Sequence, residues 1–154
     1  MRRPRVLFFD DEPERCTAFL LRARMRCREV GLEPTIEERY QVRGAEVLLR
    51  HNRYDLVILD IMSSVPDDFW WLGREDMGTT PEDLAGIELL RRCRSGEYAA
   101  NKGTPVFIRT ARGDKNAHHL AMQLGATGYY LTTQSAELIE AMVALLRGID
   151  AKAG

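Results

Sequence analysis

The sequence predicts an α/β protein with a parallel sheet, because short apolar runs alternate with helical patterns from end to end. The clearest apolar runs are residues 6–9 and 56–59, which are rich in β-branched and aromatic side chains. Runs of this kind, bounded by polar residues, are typical of strands that are buried on both faces. Five βα units in succession predict helices on both faces of the sheet and right-handed crossovers.

The first half of the chain holds five predicted elements. They are strand 5–9, helix 14–30, a weak strand 35–38, helix 42–51 and strand 55–59. Helix 14–30 is predicted from an apolar stripe of Cys16, Phe19, Leu20, Ala23, Cys27 and Val30. Gly31 followed by Pro34 is a normal stop signal for this helix. Helix 42–51 is predicted to turn Val42, Ala45, Leu48 and Leu49 inward.

The second half repeats the pattern after a long loop. A third helix is predicted from its inward residues Ile87, Leu89, Leu90 and Cys93, and strand 105–109 follows, ended by Thr110. Helix 114–124 and strand 129–131 come next. The last helix is predicted to start near Ser135, as its N-cap, and to end at Gly148.

Composition narrows the class of protein. The length of 154 residues fits one domain over 1–154, and we expect no output domain. A net charge of −1 argues against binding to nucleic acid through bulk charge, and no apolar run approaches the length of a membrane span. Cys16 and Cys27 lie on the apolar stripe of helix 14–30 and are expected to be core thiols. An odd number of cysteines, without zinc spacing or a signal peptide, predicts a protein of the reducing cytoplasm.

Three carboxylates follow the two most apolar runs. Asp10 and Asp11 end the first run, and Asp60 ends the second. In parallel sheets, ligand sites lie beyond the carboxyl ends of the strands, so neighbouring strands would bring these side chains together. Three unpaired carboxylates repel one another, so the cluster needs a cation. Oxygen ligands favour a hard divalent ion such as Mg²⁺.

Five segments together resemble a known family. They read VLFFDDEPE, YDLVILDIM, GIELLRRCR, TPVFIRTARGD and LGATGYYL, in this order along the chain. Their residues and spacing are similar to those of the receiver domain of bacterial two-component response regulators, of the chemotaxis-regulator kind. The resemblance covers nearly the whole chain. It implies a flavodoxin-like, doubly wound (βα)5 fold with a five-stranded parallel sheet in the order 2-1-3-4-5.

The resemblance also implies a role for individual residues. Asp60 matches the aspartate that a histidine kinase or phosphotransfer protein phosphorylates. Asp10 and Asp11 match the acidic pair that holds Mg²⁺, and the backbone carbonyl of Met62 would complete the metal ligands. Thr110 matches the hydroxyl that contacts the phosphoryl group. Tyr129 matches the aromatic residue that responds to it.

These roles imply a phosphorylation-dependent switch that signals through a downstream protein partner. Neither nucleic acid nor a membrane is expected as a partner, and a homodimer is left open. The chemistry suits the residues, because a carboxylate nucleophile forms an acyl phosphate while a metal ion neutralises charge. We expect a phosphoacceptor and not a turnover enzyme.

The sequence departs from the family at a charged position. The family has a lysine near the end of strand 5, and Thr132 stands in its place, followed by Thr133. Threonine cannot replace a charge-assisted contact to phosphate. One hypothesis is that Arg112 or Lys115 supplies the missing charge. Arg109 is expected to point to the other face of the sheet, because it alternates with Thr110.

A second departure is the loop that follows Asp60. The family has a short turn here whose glycine matches Gly86, whereas this chain has an extended loop at about 63–83. The loop contains Phe69, Trp70 and Trp71 in a row, which are costly to leave in water. It is interpreted as a lid or recognition element beside the site, or alternatively as a loop folded onto helix 3 or helix 4.

Two other functions remain open. A receiver-like interaction module that works without phosphorylation is favoured by the missing lysine and the altered loop, and opposed by the intact acidic residues and Thr110. A phosphohydrolase with an aspartate nucleophile after strand 1 is less favoured. That chemistry needs a second aspartate two residues after the first, where this chain has Glu12.

Overall fold

The computed structural model describes residues 2–61, 85–111 and 115–153 and confirms the predicted α/β architecture. The strands are β1 (Arg5–Phe9), β2 (Thr35–Arg39), β3 (Leu56–Leu59), β4 (Val106–Thr110) and β5 (Gly128–Leu131). The helices are α1 (Thr17–Glu29), α2 (Val42–His51), α3 (Ala85–Ser95), α4 (Lys115–Gln123) and α5 (Ser135–Ala153).

The described strands form one parallel sheet in the order β2-β1-β3-β4-β5, which is the order that the resemblance implied. Strand β1 pairs with β2 and β3, and β4 pairs with β3 and β5. After β2, the chain crosses to the other side of β1 to form β3. The strand order therefore reverses between β1 and β3. Ligand sites in open α/β sheets lie at such a switch point, beyond the carboxyl ends of the strands.

The sheet is covered on both faces, because alternate residues of each inner strand point to opposite sides. Leu7, Val57 and Ile108 pack with α2, α3 and α4 in one cluster of buried residues. Phe8, Ile58 and other residues of alternate parity pack with α1 and α5 in a second cluster. Burial of each large apolar side chain contributes about 1.5–3 kcal/mol, so the two clusters hold the strand ends in place.

Two helix boundaries differ from the prediction by more than one residue. A short 3₁₀ helix, Pro13–Arg15, precedes α1, because proline suits the first turn of a helix. Helix α5 continues through Gly148, where the backbone has no positive φ. A glycine inside a helix costs only about 1 kcal/mol, and the packing of Met142, Val143 and Leu146 outweighs this cost.

The start of α5 also differs in detail. Ser135 was predicted to be its N-cap, but its hydroxyl donates a hydrogen bond of 2.7 Å to the carbonyl oxygen of Thr132. A short 3₁₀ helix, Thr132–Gln134, leads directly into α5. Ser135 therefore links the short 3₁₀ helix to the start of α5.

Several predictions fall outside the described residues. They concern the loop at 63–83 with its aromatic residues, Met62 and Arg112.

The three cysteines are free and buried, as expected for core thiols. Within the ranges that the structure describes, no helix is both long and apolar enough to cross a membrane.

Candidate functional site

The structure brings Asp10, Asp11 and Asp60 together at the carboxyl edge of the sheet. Strands β1 and β3 are paired with Phe9 opposite Leu59, so the residues that follow them are neighbours. The backbone N–H of Asp60 donates to the carbonyl oxygen of Phe9 at 3.0 Å. One carboxylate oxygen from each aspartate lies within 4.8 Å of the other two.

The cluster is largely shielded from water. Asp10 is 3% exposed and Asp60 is 5% exposed, while Asp11 is half-buried. The backbone N–H of Glu12 donates to Asp10 Oδ1 at 2.8 Å and fixes that carboxylate. Burial, followed by the nearby charge of Asp10, raises the pKa of Asp11 above its usual range. The site therefore holds carboxylates that resist being charged together.

The donor set fits a hard divalent cation. Oxygen atoms from three carboxylates are the ligands that Mg²⁺ prefers in proteins. Asp11 Oδ1 is buried and accepts no hydrogen bond within the described part of the chain. A buried oxygen without a donor is unfavourable, and a metal ion would satisfy it. The residues present are therefore compatible with Mg²⁺.

Arg15 adds a positive charge at the mouth of the cluster. Its Nη2 atom lies 3.6 Å from Asp11 Oδ1 and 4.0 Å from Asp60 Oδ2, and its Nε atom lies 2.9 Å from Glu12 Oε2. Its side chain is about two-fifths exposed, so solvent screens these contacts. The 3₁₀ turn of Pro13–Arg15 places the guanidinium there. Arg15 and a divalent cation would compete for the same carboxylates.

Arg109 corrects an expectation from the sequence. It was expected to point away from the site, but its Nη1 atom lies 3.6 Å from Asp10 Oδ2. The alternation along β4 was correct, since Arg109 lies on the α1 face with its guanidinium 4.5 Å from the ring centroid of Phe19. Asp10 extends toward that same face, because it continues the parity of Phe8. The sequence argument placed the site only on the face of the sheet where Thr110 lies.

The two residues implied to respond to phosphorylation lie on β4 and β5. Thr110 is fully buried at the end of β4, opposite Leu131. Tyr129 is half-buried at the start of β5, and its ring stacks on the ring of His118 from α4 at a centroid distance of 4.4 Å. The sequence did not indicate this stacked pair, because His118 and Tyr129 come from separate elements without a shared motif.

The positions discussed for the missing lysine differ in their surroundings. Thr132 is half-buried and starts the short 3₁₀ helix before α5. Lys115 is exposed at the start of α4, and no ion pair within the described ranges joins it to the acidic cluster. Arg112 lies outside the described residues. Its hypothesised role stays a prediction.

Arg15 and Arg109 are the charged residues of the site that sequence reasoning missed. Arg15 follows Asp11 by four residues, a spacing that brings side chains together in a helical turn and could have indicated the pair. A better signal for Arg109 is its place inside an apolar strand. Among its neighbours Val106, Phe107 and Ile108, an arginine is expected only where a carboxylate pairs with it.

Comparison with known proteins supports the fold. Neither a family model nor a curated protein matches the sequence. Solved structures do match, and the receiver domain of the Francisella response regulator 1452 has 22% identity, a TM-score of 0.65 and coverage of 95% of this chain and 98% of that one.

Two further solved structures agree. A two-component response regulator of the LuxR family from an Aurantimonas species has 24% identity, a TM-score of 0.64 and coverage of 96% and 87%. The chemotaxis protein CheY4 of Vibrio cholerae has 18% identity, a TM-score of 0.61 and coverage of 94% and 99%. With this sheet order and an acidic cluster at its carboxyl edge, the chain has the fold of a response regulator receiver domain.

Proposed function

We propose that this chain is a phosphorylation-dependent signalling switch that accepts a phosphoryl group on Asp60. The observation that carries the proposal is the convergence of Asp10, Asp11 and Asp60 at the carboxyl edge of a receiver-type sheet. Asp60 is the proposed nucleophile and Thr110 the proposed phosphoryl contact. Tyr129 is the proposed aromatic residue of the switch.

The proposed reaction is a transfer between two acceptors. An oxygen of the Asp60 carboxylate attacks the phosphorus of the donor and forms a new O–P bond. The bond between phosphorus and the donor breaks, and its electron pair leaves with the donor. A phosphohistidine on a histidine kinase or phosphotransfer protein is the donor that the fold neighbours favour.

A divalent ion would support this transfer. The proposed ligands are Asp10, Asp11, Asp60 and the backbone carbonyl of Met62. Bound Mg²⁺ would neutralise part of the negative charge that gathers on the phosphoryl oxygens. The contribution of the protein is to hold the Asp60 carboxylate in place through the β1–β3 pairing.

Because Asp60 is buried, its phosphorylation would change the structure around it, and this change would be the signal. Phosphorylation replaces the single negative charge of the Asp60 carboxylate with the roughly two charges of a phosphoryl group, on a residue that is only 5% exposed. Such a change can draw the Thr110 hydroxyl and its loop toward the phosphoryl oxygens. The output would be an altered surface for a downstream protein, as in a signalling domain and not a turnover enzyme.

The second candidate is an interaction module that works without phosphorylation. The observation that favours it is Thr132, which offers no charge where receiver domains have lysine. The two functions differ in one property: only the switch takes up a phosphoryl group or its mimic at Asp60.

The test is incubation of the whole chain with Mg²⁺ and acetyl phosphate, followed by intact mass, and a parallel titration with beryllium fluoride. We expect the mass of one added phosphoryl group and saturable binding of the fluoride complex. Asp60→Asn keeps the shape of the side chain and removes the nucleophile, so it should show neither. If the natural chain forms no adduct with either reagent, the switch function is wrong.

A further inference from the structure

We propose that Arg109 is a buried positive charge of the site, which pairs with Asp10 before phosphorylation and donates hydrogen bonds to the phosphoryl group on Asp60 afterwards. This inference rests on the proposed function and names the group that replaces the missing lysine. The charge would thus come from β4 instead of β5.

The first argument is position. Strand β3 lies between β1 and β4, and Leu59 pairs with Ile108. Asp60 and Arg109 each come one residue later, so they are level with each other on neighbouring strands. Asp10 follows β1, which lies on the other side of β3 from Arg109. Because the Arg109 side chain contacts Asp10, it has to cross the end of β3, where Asp60 lies.

The second argument is the face of the sheet. Phe107 and Ile58 belong to the cluster packed against α1 and α5, and alternation places Arg109 and Asp60 on that same side. The charge of Arg109 is therefore on the same face of the sheet as Asp60.

The third argument is unused hydrogen-bonding capacity. Arg109 is 6% exposed, and its Nε and Nη1 atoms have no hydrogen-bond acceptor among the described residues. The guanidinium carries its N–H donors in a fixed planar fork. Leaving buried donors unpaired is unfavourable. Phosphoryl oxygens would satisfy these donors, since the fork of arginine suits them.

The fourth argument is support from the neighbouring helix. The ring of Phe19 on α1 lies 4.5 Å below the guanidinium and holds it by a cation–π contact. Phe8 stacks on Phe19 at 5.6 Å and fixes that ring in turn. Arg109 is thus held in place before any phosphoryl group arrives. By contrast, the side chain of Lys115 is exposed and would have to become ordered before it could contact the phosphoryl group.

The test compares the natural chain with Arg109→Met and Arg109→Lys. Two quantities are measured: the Mg²⁺ dissociation constant by calorimetry without phosphate, and the rate of Asp60 phosphorylation by phosphoramidate at saturating Mg²⁺. A variant that only damages the site would bind Mg²⁺ more weakly and would also be phosphorylated more slowly. A variant that removes a positive charge should change them in opposite directions.

For Arg109→Met we expect Mg²⁺ to bind about three- to tenfold more tightly, because a cation beside Asp10 is gone. We expect phosphorylation to slow by about tenfold or more, because a charge-assisted contact is lost. Arg109→Lys keeps a positive charge. Its Mg²⁺ affinity and its phosphorylation rate should therefore lie between those of the natural chain and those of Arg109→Met. Circular dichroism and thermal melting check that each variant is folded.

Two results would overturn the inference. One is an unchanged phosphorylation rate in Arg109→Met while the natural chain is phosphorylated, which would leave the proposed function intact. The other is a parallel loss of Mg²⁺ binding and phosphorylation that Arg109→Lys does not relieve. If the natural chain takes up no phosphoryl group at all, the proposed function fails first and the inference falls with it. Replacing Arg112 and Lys115 together with alanine should slow phosphorylation less than Arg109→Met does.

Discussion

Gly86 and Asp60 are in such close contact that a β carbon on Gly86 would lie 2.2 Å from the Asp60 carbonyl oxygen. No real β carbon approaches a backbone oxygen so closely, so the backbone itself would have to move. The backbone of Gly86 has no positive φ, and the need for glycine is therefore one of space. The start of α3 is thereby held against the end of β3, beside the proposed phosphoacceptor.

We predict that Gly86→Ala lowers the free energy of unfolding by about 1–3 kcal/mol and disturbs the carboxylate cluster. Urea denaturation measures the stability, and calorimetry measures Mg²⁺ binding. Gly103→Ala is the matched control, because nothing lies within 4 Å of a β carbon there and its φ is not positive. Equal stability of the two variants would show that the close contact has no energetic weight.

Removal of Arg15 should strengthen Mg²⁺ binding. Its guanidinium lies within 4.0 Å of carboxylate oxygens on Asp11 and Asp60, where it repels a divalent ion. Because the side chain is about two-fifths exposed, we predict a modest gain in affinity of about two- to fivefold for Arg15→Ala.

The control for Arg15 is Arg22→Ala, which removes one positive charge from the exposed surface of α1. Calorimetry at low and high salt distinguishes the two, since only a local contact changes the affinity strongly. If Arg22→Ala has the same effect as Arg15→Ala, the net charge of the chain and not the position of Arg15 is responsible.

Asp11 should make the metal-free protein less stable at neutral pH. Burial and the charge of Asp10 raise its pKa in the folded state above the ordinary value. The folded state therefore binds this proton more tightly than the unfolded chain does. This contribution to stability is present below the ordinary pKa of aspartate and is lost as the pH rises through the raised pKa.

We predict that Asp11→Asn is more stable than the natural chain at pH 7 in a chelator, and that this difference shrinks under acid conditions. Added Mg²⁺ should stabilise the natural chain more than the variant. Urea denaturation at both pH values, with and without Mg²⁺, measures these effects. A destabilised Asp11→Asn at pH 7 in the chelator would contradict the burial argument.

A buried ionic network joins α2 to α3. Arg92 donates to Glu46 and, at 2.8 Å, to Glu88, and the Tyr98 hydroxyl donates to Glu46 at 2.7 Å. Burial raises the pKa of Glu88, which is fully enclosed. Removing one partner of a buried pair leaves the other charge without compensation.

We predict that Arg92→Met lowers the free energy of unfolding by about 3 kcal/mol, measured by urea denaturation. Arg43 provides the contrast, because it reaches Glu46 at 3.6 Å from a side chain that is nearly half exposed. Arg43→Ala should cost less than about 1 kcal/mol. If Arg92→Met is as stable as the natural chain, the apolar packing around it is sufficient without the charges.

Much of the fold followed from local signals in the sequence. Strands β1 and β3 were predicted well, because a buried parallel strand leaves a continuous apolar run. The end of α5 was predicted wrongly, because the helix-breaking tendency of Gly148 is weak compared with tertiary packing. Local propensity predicts where an element exists better than where it stops.

The site could be predicted only in part. Convergence of the three aspartates followed from two strand ends and a neighbouring placement of β1 and β3. The contact of Arg109 with Asp10 could not follow in the same way, because it spans two strands and depends on side-chain length and direction. The stacking of His118 on Tyr129 likewise depends on how α4 lies against β5.

The most direct test of the central claim is to identify the residue that carries the phosphoryl group. The natural chain is incubated with phosphoramidate and Mg²⁺ and then treated with borohydride, which reduces an aspartyl phosphate to homoserine. Peptide mass spectrometry locates the product. The account predicts homoserine at position 60, dependent on Mg²⁺ and absent from Asp60→Asn. Homoserine at Asp10 or Asp11, or no product at any carboxylate, would contradict it.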